Sequence, residues 1–94
     1  MNESDIRVGS VVLSQQGRDK GKYFIVTQLG KGVVFVADGG MRKLNAPKKK
    51  NVKHVSDSGV VLTNIAEKLT SGKKVFDSEV KSALRQFNQP SQTN

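Results

Sequence analysis

The sequence predicts a mainly β domain: a small antiparallel barrel or sandwich followed by a short α-helical C-terminal extension. Three observations carry this expectation. Valine, not leucine, is the commonest apolar residue, and nearly all of it precedes residue 62; β-branched side chains are stiff at χ1 and fit a pleated sheet better than a helix. The apolar residues of that region fall in short runs, each bounded by Gly, Asp, Asn or Lys. Beyond residue 62 the apolar spacing becomes helical. A chain of 94 residues holds one domain of ordinary size. The expected division is a barrel over residues 1–58, a last strand with the helical extension over 59–89, and a disordered tail over 90–94.

The elements follow in order. Val8–Leu13 reads as a first strand and Tyr23–Leu29 as a second, separated by the polar stretch Gln16–Gly21. Gly30-Lys31-Gly32 is a tight hairpin leading to Val33–Ala37. Val33-Val34-Phe35-Val36 has no polar alternation, which suits a strand covered on both faces. Asp38-Gly39-Gly40 and Asn45-Ala46-Pro47 are turn signals around a fourth expected strand, Met41–Leu44, and Val52–Val55 is the fifth. Closing such strands into a barrel would leave few exposed edges. Asp57-Ser58-Gly59 reads as a further turn before a last apolar run, Val60–Leu62. Thr63 is placed to cap a short helix with Ile65 and Leu69 on one face, ended by Ser71-Gly72. A second helix starts at Asp77 or Ser78, with Val80, Leu84 and Phe87 at helical spacing, and Pro90 stops it.

Composition narrows the function. Sixteen Lys and Arg against eight Asp and Glu give a net charge of +8, which points to a polyanionic partner. The absence of Cys excludes disulfide scaffolds, thiol catalysis and cysteine-based zinc sites, and a single His gives no histidine cluster. No apolar run approaches the roughly 20 residues of a membrane helix. The polar, acidic start Met1–Asp5 does not resemble a signal peptide, so a cytoplasmic location is expected. No enzyme, no cofactor and no small-molecule substrate are expected. His54 has no evident catalytic partner, and Asp19 and Asp38 lie in turns, where Asp serves its own backbone.

Nearly all of the positive excess belongs to residues 1–56. Within it, Met41–His54 carries Arg42, Lys43, Lys48, Lys49, Lys50 and Lys53 and no acid. Adjacent lysines repel one another, so Lys48-Lys49-Lys50, read as a loop stiffened by Pro47, suits contact with phosphates. A second basic stretch, Ser14–Lys22, holds Arg18, Lys20 and Lys22 with two glycines that let backbone amides approach an anion.

Val8–Ser14, then Gly17-Arg18-Asp19-Lys20-Gly21-Lys22, then Phe24-Ile25-Val26 resembles a KOW motif: strand, glycine- and lysine-bearing loop, strand, with its near-invariant glycine falling on Gly21. The continuation Val36-Ala37-Asp38-Gly39, Arg42-Lys43 and Pro47 with the lysines resembles large-subunit ribosomal proteins of the fourteen-e type and short bacterial KOW-domain proteins. The likeness covers about residues 7–56. It implies an SH3-like barrel whose loops touch RNA, with contact assigned to Arg18, Lys20, Lys22, Arg42 and Lys43 and the Gly21 backbone shaping the loop.

The expected function is therefore a non-catalytic RNA-binding protein, ribosomal or ribosome-associated and acting in translation, with ribosomal RNA as partner and ribosomal proteins as neighbours. The alternative is a protein-binding adaptor in transcription or translation that uses the barrel or the Val80/Leu84/Phe87 stripe. Aromatic residues are 5% and Trp is absent, which disfavours peptide-binding barrels, methyl-lysine cages and base-stacking platforms.

Overall fold

The computed structural model describes residues 6–88. Its elements are β1 Ser10–Ser14, β2 Tyr23–Leu29, β3 Val33–Ala37, β4 Lys48–Asn51, a single 3-10 turn at Val52–His54, β5 Val55–Val61, α1 Thr63–Ser71 and α2 Asp77–Asn88. The strands form one antiparallel sheet in the order β4-β3-β2-β1-β5. Its two outer strands are consecutive in the chain and joined by the 3-10 turn, so the sheet must curl back on itself. Val12 of β1, Phe24 and Val26 of β2, Val34 and Val36 of β3 and Val55 of β5 accordingly share one buried cluster, with Ile6 and Val52 packed against it. This is a small SH3-like barrel carrying a helical extension.

The outer face of β1 and β2 is buried too. Val11 and Ile25 pack there against Ile65 of α1 and Val80 and Leu84 of α2. Two-sided burial explains why Val11-Val12 and Phe24-Ile25-Val26 are unbroken apolar runs. The same expectation does not hold along β3: Val34 and Val36 face the barrel core, while Val33 and Phe35 are only half-buried on the outside, because no helix reaches that far across the sheet. Each fully buried Val or Leu on the helix side contributes about 1.5–3 kcal/mol, so the helices are part of the fold rather than an appendage.

Local bonds fix α2 at both ends. The Asp77 carboxylate accepts from the Leu44 amide at 2.7 Å. At the other end the Asn88 side-chain amide accepts from Tyr23 N at 2.8 Å and donates to Tyr23 O at 3.1 Å, beside a Tyr23–Phe87 ring contact of 5.5 Å. Gly39 sits at φ +79° against the first turn of α2, where a Cβ would collide with the Asp77 carbonyl oxygen and crowd Lys81 N. Lys68 of α1 donates to Glu79 of α2 at 2.7 Å, and this bond holds the Glu79 carboxyl below its ordinary range.

Several sequence expectations are corrected. Met41–Leu44 is not a strand. The Asp38 carboxylate accepts from Gly40 N at 2.8 Å and Arg42 N at 2.9 Å, and Asp77 takes the Leu44 amide, so these donors are lost to any ladder. The fourth strand is the lysine run instead, paired to β3 from Lys48↔Val36 to Asn51↔Val33. Asp57-Ser58-Gly59 is a bulge inside β5: pairing with β1 steps from Val12↔Asp57 to Ser10↔Val61. Asp57 Oδ1 accepts from Gly59 N and Ser58 Oγ from Val60 N within it. The expected break after residue 58 therefore falls within a continuous strand. Val52–Val55 divides between the 3-10 turn and the start of β5. Leu62, not Thr63, is the N-cap of α1 and no side chain caps it, while Gly72 ends the helix in the left-handed conformation as expected. Pro90 and the tail 90–94 lie outside the described residues.

Candidate nucleic-acid interface

The loop between β1 and β2 closes on itself through the backbone. Ser14 N donates to Lys22 O at 2.9 Å and Gly21 N to Ser14 O at 2.8 Å. Gly21 adopts φ +90° with open space where a Cβ would stand, so the requirement for glycine there is conformational rather than steric. The neighbouring loop, residues 38–47, leaves the end of β3, which is paired alongside β2. Two ion pairs of opposite sense tie the loops together: Arg42 Nη2 to Asp19 Oδ2 at 3.3 Å, and Lys22 Nζ to Asp38 Oδ2 at 3.9 Å. Asp19 is buried. Arg42 Nε is buried without an acceptor among the described residues, and the Asp19 pair holds this guanidinium at the loop junction.

The 3-10 turn joins the same end of the barrel, since Gln15 N donates to His54 O at 2.8 Å. Lys50 reaches across from β4, donating from Nζ to Gln16 O at 3.1 Å. Directly opposed residues of paired strands share a face. Lys48 and Lys50, opposite the core residues Val36 and Val34, thus lie on the inner side, and Lys49, opposite Phe35, on the outer side. Lys50 is 8% exposed; it spans the gap between the last strand of the ladder and the β1–β2 loop. The lysine run is consequently an edge strand and not a free loop. Of the cations singled out from sequence, Arg18, Lys20, Lys43, Lys49 and Lys53 are exposed, Lys22, Arg42 and Lys48 are half-buried, and Lys50 is buried.

The electrostatic consequence is one-sided. Among described residues 6–56 the two carboxylates, Asp19 and Asp38, are both directed at neighbouring cations and backbone amides. Arg18, Lys20, Lys49 and Lys53 take part in no ion pair among the described residues, and Lys43 donates only to the Gly39 carbonyl at 3.4 Å. No cluster of three or more His, Asp or Glu that could hold a metal occurs among the described residues, and no helix among them is long and apolar enough to cross a membrane.

Sequence reasoning missed three cations. Lys31 stands exposed at the β2–β3 hairpin, which is held beside the 3-10 turn by the bond from Val52 N to Gly32 O at 3.0 Å; its flanking glycines marked only a turn. Lys81 and Arg85 are exposed on α2 and border, with Lys22, a groove of about 400 Å³. Their i, i+4 spacing was visible, but not the packing of α2 beside the 38–40 turn. No protein-family model and no curated protein sequence matches this chain.

Proposed function

We propose that this protein is a non-catalytic, cytoplasmic RNA-binding protein that meets structured RNA through the basic end of its barrel, as a ribosomal or ribosome-associated factor. The observation that carries the reading is the internal use of Asp19 and Asp38, which leaves Arg18, Lys20, Lys43, Lys49 and Lys53 exposed and outside every ion pair among the described residues. Clustered free cations repel one another, and an array of phosphates relieves that repulsion. The positive φ at Gly21 suits the role that the KOW resemblance gives this residue. Phe24 is buried in the barrel core, so contact rests on phosphates and RNA shape more than on an aromatic stacking platform. The adaptor alternative loses its surface on α2, because Val80 and Leu84 are buried against the sheet and Phe87 packs on Tyr23.

The test is titration of ribosomal RNA across a salt series. Contact with five phosphates gives a slope of log K against log salt of roughly −4 to −5, and the protein co-sediments with ribosomal particles at low salt. Absence of binding at about 50 mM salt, or recovery only among free proteins with the RNA intact, overturns the reading.

A further inference from the structure

We propose that the groove between the 38–40 turn and α2 receives a single unpaired nucleotide of the bound RNA, and that α2 is thereby part of the interface. This rests on the RNA-binding reading above. The groove is continuous with the basic loops, for Lys22 ends one of them and Asp38 and Gly40 begin the other. Its volume of about 400 Å³ falls among those of small-ligand sites. Lys22, Lys81 and Arg85 surround it, and its one acid, Asp38, already serves Gly40 N, Arg42 N and Lys22. The site is therefore complementary to an anion.

Two features select a nucleotide over a bare anion. The exposed apolar lining comes from the aliphatic stems of Lys22, Lys81 and Arg85, which lie over the buried Leu84. That is a surface for a flat base, not for a phosphate alone. Arg85 supplies a planar guanidinium on which a splayed base can stack, the arrangement by which proteins without aromatic platforms hold bulged RNA bases. Lys81 and Arg85 stand one helical turn apart, where like charges disfavour a helix. The helix dipole accounts for a cation at Arg85, in the last turn, but not for Lys81. The walls are preformed: Asp38 fixes Gly40, and Asn88 is held on the Tyr23 backbone through both its oxygen and its nitrogen.

The experiment uses the full chain and two RNA hairpins that differ only by one bulged adenosine. The wild type binds the bulged hairpin about tenfold more tightly, the order expected for one stacked base. The Lys81→Ala/Arg85→Ala variant melts like wild type and binds both hairpins alike. Arg85→Lys retains the charge and loses most of the preference, since an ammonium offers no stacking plane. Adenosine monophosphate abolishes the preference and inorganic phosphate does not. Equal binding of both hairpins by the wild type, or an undiminished preference in the double variant, overturns the groove assignment while leaving RNA binding intact. Inorganic phosphate competing as well as the nucleotide overturns the base contact. Failure to bind either hairpin overturns the RNA-binding reading itself.

Discussion

The loop Arg18–Lys22 and the strand Lys48–Lys50 each carry three cations, yet the fold uses them in opposite ways. In the loop, Arg18 and Lys20 are exposed and Lys22 alone is tied down, by Asp38. In β4 the alternation of the strand decides: Lys49 is exposed, Lys48 is half-buried and Lys50 is buried with its ammonium on the Gln16 carbonyl. A charged outer strand resists edge-to-edge pairing with another molecule, so part of the positive charge has a structural purpose. Density of lysine along the sequence therefore measures binding poorly in a small barrel. What counts is whether the backbone beneath it alternates, as a strand, or turns, as a loop.

Lys50→Glu breaks the comparison most severely if it is wrong. A carboxylate at that buried position faces the Gln16 carbonyl, an acceptor against an acceptor, and an uncompensated buried charge costs about 3–5 kcal/mol. Urea unfolding should show that loss for Lys50→Glu and under about 0.5 kcal/mol for the exposed Lys49→Glu. Equal losses would mean that β4 does not alternate as described. Gly21→Val comes next. A β-branched residue at φ +90° costs about 1–2 kcal/mol, whereas Lys20→Ala one residue away should leave the melting temperature unchanged. The third variant moves from stability to binding. Arg18→Ala with Lys20→Ala should make the salt slope shallower by about 2 with no change in melting. Lys50→Met, which keeps the stem and loses one hydrogen bond, should leave the slope as it is.

The smallest effect belongs to a control outside both stretches. Glu79 is held below its ordinary range chiefly by the hydrogen bond from Lys68. A depressed carboxyl stabilises the fold above the ordinary carboxylate range and ceases to do so as pH falls through its lowered value. Glu79→Gln should thus melt slightly below wild type at neutral pH and match it in strong acid, with both basic stretches unaffected.

Much of this was legible. Tyr23–Leu29 and Val33–Ala37 are strands with the bounds their apolar runs suggest, and the spacing of Val80, Leu84 and Phe87 marks the face of α2 that is buried. β4 was not legible, because Lys48-Lys49-Lys50-Asn51 has little strand propensity of its own and is drawn into the sheet by pairing with Val33–Val36. Met41–Leu44 misled for the converse reason: its apolar ends suggested a strand while carboxylates of Asp38 and of Asp77, the latter 33 residues beyond Leu44, took its amides. The exposed cations Arg18 and Lys20 could be read from the turn chemistry of their loop, whereas Lys43 lay in an expected strand. The inward use of Arg42 and Lys50 could not, since their partners, Asp19 and Gln16, lie 23 and 34 residues away and only the tertiary fold brings them near.

The amide of Asn88 is a counterfeit peptide group. It offers Tyr23 a carbonyl and an N–H, as another strand would, from 65 residues away. During synthesis at about 5–20 residues per second, some 3–13 seconds separate the appearance of the two residues. Through that interval the β1–β2 hairpin can form, but its outer apolar face, Val11 and Ile25, is fully covered only once α2 has followed α1. The nascent chain thus carries an incompletely covered hairpin for seconds, until Val80 and Leu84 pack on it and Asn88 ties the end of α2 to Tyr23.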